Sequence, residues 1–145
     1  VTILIIKETD NLTTTIDYNY IFVSIANKYT FDYEKLLSSL EKTSAEVIVK
    51  DINNEIVNTN DSSIGTGYTI TIDEEEYLII VYGDIDSNGI VNKRDASLLS
   101  RILISNTELT NQYLLAGDLN EDGKITISDI MELLSDDYII DESTD

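Results

Sequence analysis

The residues of this chain best suited to chemistry fall in two runs of carboxylates and carboxamides, each broken by a glycine. The first is Asp84-Ile85-Asp86-Ser87-Asn88-Gly89-Ile90-Val91-Asn92-Lys93-Arg94-Asp95, and the second is Asp118-Leu119-Asn120-Glu121-Asp122-Gly123-Lys124-Ile125-Thr126-Ile127-Ser128-Asp129. A twelve-residue loop can bring oxygens from positions 1, 3, 5, 7, 9 and 12 around one calcium ion, with glycine at position 6 for the sharp turn. In the first run Asp84, Asp86 and Asn88 offer side chains, Ile90 its carbonyl, Asn92 a ligand direct or through water, and Asp95 closes the set. In the second the same places fall to Asp118, Asn120, Asp122, the carbonyl of Lys124, Thr126 and Asp129, with the Lys124 side chain pointing away. Two calcium ions are expected. A single run of this kind is also what a plain polar turn looks like. Two full-length copies, thirty-four residues apart, each with an apolar residue at position 8 (Val91, Ile125), argue for the metal.

Composition narrows the alternatives. Acidic residues number 28 against 9 basic ones, a net charge of −19, which repels nucleic-acid phosphates and anionic membrane surfaces. The chain has no cysteine and no histidine, so disulfides, thiolate sites and the usual transition-metal sites drop out and a hard, oxygen-seeking cation remains. With 145 residues, 42% of them hydrophobic, there is enough to build a core. The opening Val1-Thr2-Ile3-Leu4-Ile5-Ile6 is too short to span a membrane and reads as a strand. With neither an initiator methionine nor a targeting segment, the chain reads as a piece of a longer polypeptide.

Each loop needs elements to hold it, and each feeds a helical pattern. Leu98, Leu99, Ile102 and Leu103 follow the first at helix spacing, and Ile130, Leu133 and Leu134 follow the second. Between them Leu109, Tyr113 and Ala116 mark another helix, with Thr107 or Thr110 as N-cap and Gly117 as its stop. Two copies of a thirty-odd-residue unit are too few for a solenoid and predict a paired unit. Upstream, Tyr33, Leu36, Leu37 and Leu40 predict a short helix capped by Thr30, with Asp32 and Glu34 in its first turn. Strands are expected over 16–25, 45–50, 68–72 and 77–82. Asp73-Glu74-Glu75-Glu76 should form a solvated hairpin turn, and Leu78-Ile79-Ile80-Val81 a strand buried on both faces. The fold class is therefore α+β: a small β-rich module with one short helix over 1–82, then an all-α pair of antiparallel calcium loop-helix motifs over 83–145. No proline- or serine-rich linker separates Tyr82 from Gly83, so the two should pack as one body.

Aspartate at position 12 of both loops, a glycine (Gly83, Gly117) where an entering helix would normally continue, and the stretch Leu109-Thr110-Asn111-Gln112-Tyr113-Leu114-Leu115-Ala116-Gly117-Asp118 resemble the dockerin family, in its type I-like members, over about 83–138. That resemblance implies a module that binds a cohesin on the scaffolding protein of a cellulosome-like assembly, extracellular or at the surface of an anaerobic bacterium, and monomeric when free. The family's partner-facing positions correspond here to Lys93, Arg94, Ser97 and Arg101 in the first repeat and to Ile127, Ser128, Met131 and Ser135 in the second. The two sets differ in charge and polarity, whereas many dockerins carry near-identical pairs that allow two binding orientations related by a half-turn. For the basic set, a plain solvated helix start is the competing reading. The upstream part resembles small X-type modules that precede dockerins in bacterial surface proteins, through Ser63-Ile64-Gly65-Thr66-Gly67 and Ile80-Val81-Tyr82-Gly83-Asp84.

The same residues bear on other functions. An enzyme would need spare, positioned groups, yet the chain has no Gly-x-Ser-x-Gly and no phosphate-cradling loop, and its clearest carboxylate clusters are already assigned to calcium. Sugar binding would use the alternating Tyr18, Tyr20 and Phe22, a row more simply explained as core. A calcium sensor would expose a methionine-rich groove, and the chain has one methionine. A calcium-binding structural module without a cohesin partner is the remaining alternative.

Overall fold

The computed structural model describes residues 12–17, 19–25, 31–38, 47–59, 62–107 and 111–134. Six strands form one mixed sheet: β1 (Leu12–Asp17), β2 (Tyr20–Ile25), β3 (Val47–Lys50), β4 (Ile56–Val57), β5 (Thr69–Ile72) and β6 (Glu75–Val81), in the order β1-β2-β6-β5-β3-β4. Neighbours are antiparallel except β2 and β6, which run parallel. The class is α+β.

Register explains the core. Opposed residues of adjacent strands share a face, so the pairs Ile21↔Ile79 and Val23↔Val81 place four apolar side chains on one side of the sheet. Val49 and Ile70, also opposed, join them, as does Ile72 two residues on, and all are buried. Phe31, Leu36 and Ile64 belong to the same cluster. Each such side chain contributes roughly 1.5–3 kcal/mol by leaving water. On the other side Ile80 is fully buried, while Tyr20 and Phe22 are half-buried and Phe22 stacks on Tyr82 at 5.6 Å and 19°. The run over residues 78–81 is thus a central strand with apolar cover on both faces, as its composition predicts.

Several boundaries differ from the sequence reading. The single strand expected over 16–25 is a hairpin in which Asp17 pairs with Tyr20. Asp and Asn are turn formers, but with no glycine between the strands the signal was masked by flanking β-branched and aromatic residues. The acidic turn is also tighter than expected: Ile72 opposes Glu75, and only Asp73 (φ 49°) and Glu74 (φ 71°) turn the chain, so β6 starts two residues early. Helix α1 (Tyr33–Ser38) is capped by Asp32, whose Oδ1 accepts the Lys35 backbone N–H at 2.9 Å. The opening strand, Tyr18, Thr30, Leu40, Leu109 and Thr110 lie outside the described residues.

Three helices follow the sheet: α2 (Lys93–Ser105), α3 (Asn111–Gly117) and α4 (Ile127–Leu133). At the end of α2, Asn106 takes a left-handed φ of 59° and Thr107 N–H bonds the Ile102 carbonyl at 3.1 Å. Thr107 therefore finishes α2. Gly117 is the last residue of α3 and is closely packed: a methyl there would meet Ile125 at 3.1 Å and Leu99 at 3.2 Å, so both side chains would have to give by a few tenths of an ångström. The buried residues Ile85, Val91, Ala96, Leu99, Ala116, Leu119, Ile130 and Leu133 are continuous with the sheet's core.

Candidate metal centre

Two triads of carboxylates converge where the sequence places them. Asp84, Asp86 and Asp95 bring one oxygen each within 4.8 Å of one another, and Asp118, Asp122 and Asp129 do the same.

The loops repeat each other bond by bond. The position 1 Oδ2 accepts the position 6 N–H, Gly89 to Asp84 at 2.9 Å and Gly123 to Asp118 at 2.7 Å. The position 3 Oδ1 accepts the position 5 N–H, Asn88 to Asp86 and Asp122 to Asn120, both at 3.3 Å. The position 5 Oδ1 accepts the position 7 N–H, Ile90 to Asn88 at 2.9 Å and Lys124 to Asp122 at 3.1 Å. Position 12 accepts from positions 3 and 9 in both loops, Asp95 from Asp86 and Asn92 and Asp129 from Asn120 and Thr126, and Asp95 also accepts the Ile85 N–H at 2.8 Å. Position 4 has positive φ in both loops, at Ser87 (65°) and Glu121 (60°).

Position 12 has a second task that spacing alone did not reveal. Asp95 is the N3 residue of α2 and Asp129 that of α4, each bonded to the N–H of the residue before its helix. Asn92, read as a ligand, caps α2: its Oδ1 accepts the Arg94 N–H at 3.0 Å. Loop closure and helix initiation use the same residues.

The surroundings of the loops differ. Asp84 is fully buried, and its Oδ2 accepts a further N–H, from Thr66, at 2.9 Å. In the second loop Asn120, Glu121, Asp122, Gly123 and Lys124 are all exposed. Burial, with repulsion from neighbouring carboxylates, raises the Asp84 and Asp95 carboxyls far above the usual range despite the opposing pull of backbone N–H groups. Burial also raises that of Asp118. Crowded carboxylates held against their ionisation are what a divalent cation would relieve, and the donor set is all oxygen, so these residues fit calcium.

Residues 82–135 match the family model described as the dockerin type I domain. This segment belongs to the type I dockerin family. Comparison with curated proteins gives no match, and comparison with solved structures gives none. Dockerins are protein-interaction modules whose docking depends on calcium and whose partner is a cohesin, so the match accounts for both triads together.

The dockerin helices carry the residues read as partner-facing. Lys93, Arg94, Ser97 and Arg101 are exposed on α2, and Ser128 is exposed on α4 with Ile127 (65% accessible) and Met131 (67%). Ser135 lies outside the described residues. Leu103 and Leu134, read as packing residues, are 38% and 49% exposed, while Leu99 and Leu133 carry the contact with the core. Ile104, 84% exposed, was not singled out from the sequence. It falls seven residues after Ser97 and three after Arg101, on the same helix face. An apolar residue off the buried stripe was the signal that would have found it.

Proposed function

We propose that this chain is a non-catalytic docking piece. Residues 83–145 form two loop-helix motifs that bind two calcium ions and seat a cohesin against the exposed faces of α2 and α4. Residues 1–82 form a small α+β module packed against them. The dockerin would tether its parent polypeptide to a scaffold or cell surface in a cellulosome-like assembly outside an anaerobic bacterium. The observation that carries this reading is the pair of carboxylate triads, built on the same hydrogen bonds, inside the matched segment. The half-buried row Tyr20 and Phe22 packs against the core, and Phe22 stacks on Tyr82, which favours a packing role over sugar binding. Among the described residues no helix is long and apolar enough to cross a membrane.

The test is calorimetric titration of the chain against a panel of cohesins, in calcium and in chelator. Binding to at least one cohesin, abolished by chelator, is the expected result. Calcium binding without any cohesin binding would leave the structural-module alternative in its place. The paired variants Lys93→Ala with Arg94→Ala, and Ile127→Ala with Ser128→Ala, then locate the face. A charged and an apolar patch cannot suit one partner surface equally, so one pair should lose about tenfold or more while the other barely changes. Small, equal losses would show binding in both orientations.

A further inference from the structure

The first loop is walled by residues that are not its own. Thr66 N–H donates to Asp84 Oδ2 at 2.9 Å, the same oxygen that Gly89 N–H reaches at 2.9 Å. Its counterpart, Asp118 Oδ2, accepts Gly123 N–H at 2.7 Å from within its own loop. Thr66 is itself fixed, because its Oγ1 donates to the Val81 carbonyl at 3.0 Å and accepts the Val81 N–H at 3.1 Å. Val81 ends β6, three residues before Asp84, so the clamp grips the strand that leads into the loop. Beside it, a Cβ on Gly65 would stand 2.3 Å from the Ser87 carbonyl oxygen and 2.8 Å from Asp84 Oδ2. The wall touches the loop without intervening space.

We infer that Thr66 is a positioning residue of the first calcium site, its backbone N–H fixing the Asp84 carboxylate while Gly65 and Thr66 shut water from the loop, so that the upstream part of the chain sets the calcium affinity of site one and not of site two. The inference rests on the calcium reading proposed above. Asp84 is held by three amides, those of Thr66, Gly89 and Asn88, against two at Asp118, so it has less freedom to lose when it meets the ion. Excluding water also strengthens the attraction between the cation and the carboxylates around it.

The test is a calcium titration of the full ¹⁵N-labelled chain, following the amides of Thr66, Gly89 and Gly123. Thr66 is expected to shift with the midpoint of Gly89, and Gly123 with a midpoint of its own. Gly65→Ala, which pushes the wall off the loop, should weaken the Gly89 midpoint about tenfold, on the scale of one charge-assisted hydrogen bond, and leave the Gly123 midpoint within about twofold. General destabilisation would weaken both sites, so the split between them reads the positioning role. If Gly65→Ala does not fold, the wild-type comparison of Thr66 with Gly89 decides alone. A Thr66 amide that stays still while Gly89 and Gly123 both respond overturns the inference and leaves the calcium reading intact. Silence at both Gly89 and Gly123 overturns both.

Discussion

At Gly89 an added methyl would strike the Ile64 carbonyl oxygen at 2.8 Å, whereas at Gly123, the same position of the second loop, nothing lies within 4 Å. The same contrast runs through both loops. One is inlaid against the sheet-bearing half of the chain, and the other has five consecutive exposed residues and touches that half at Tyr82, whose hydroxyl donates to Glu121 Oε2 at 3.1 Å. Their internal hydrogen bonds are nearly interchangeable. Local sequence therefore sets the shape of a calcium loop, while the chain around it sets how costly that shape is without its ion.

Chelation should give the largest effect. With calcium at a hundredfold its dissociation constant, each site adds about 2.7 kcal/mol, so removing it from both should lower the melting temperature by roughly 10–20 °C in a chain of this size. Thermal melts in calcium and in chelator check this, and an unchanged transition would remove the calcium reading. If the loops differ as described, scanning calorimetry at intermediate calcium should resolve two filling steps.

Substituting the paired glycines sharpens the comparison. Both hold positive φ, 78° at Gly89 and 91° at Gly123, so alanine is strained at either. Gly123→Ala should cost about 1 kcal/mol from strain alone. Gly89→Ala adds the clash with the Ile64 carbonyl and should cost about 3 kcal/mol or more. Denaturant titrations in saturating calcium measure both. Equal losses would mean that the inlaid loop yields as easily as the open one.

A smaller effect concerns pH in the chelated chain. Burial, then repulsion from neighbouring carboxylates, pushes the folded-state values up to about 8 for Asp84 and about 7 for Asp95. A carboxyl raised by folding contributes stability that is complete below its unfolded value near 4 and is lost as pH rises through the folded value. The calcium-free chain should thus weaken from about pH 4 to pH 8, by about 1–2 kcal/mol over the upper part of that range. Asp84→Asn should flatten the slope more than Asp118→Asn. A calcium-free chain that gains stability toward pH 8 would contradict the burial of the first triad.

The loops were legible from sequence because every group that shapes them lies within twelve residues and follows a fixed spacing. Thr66 was not, because what it contributes is a backbone N–H, which any residue but proline offers, from 18 positions away. The hairpin of β1 and β2 was hidden by a turn without glycine. Asp32 falls in the first turn of α1 by the sequence reading, which puts the cap at Thr30, but Asp32 is the cap, a two-residue shift that propensity cannot resolve. Leu134 was assigned inward with Leu133 because both suit a helical stripe, and only the packing shows which of the two reaches the core.

The double use of Asp95 fixes an angle. This residue closes the first loop and also sits at the third position of α2, so the helix has no freedom to start elsewhere. Successive residues of an α-helix advance by about 100°, and the azimuth of Lys93, Arg94, Ser97 and Arg101 around the axis is therefore phased to the loop and not chosen by packing further along. One residue inserted after Asp95 would swing Arg101 about 100° around the axis while the loop kept its shape. Asp129 imposes the same phase on Ile127 and Met131 in α4. The two loops thus act as dials, each setting the direction in which its helix faces the outside.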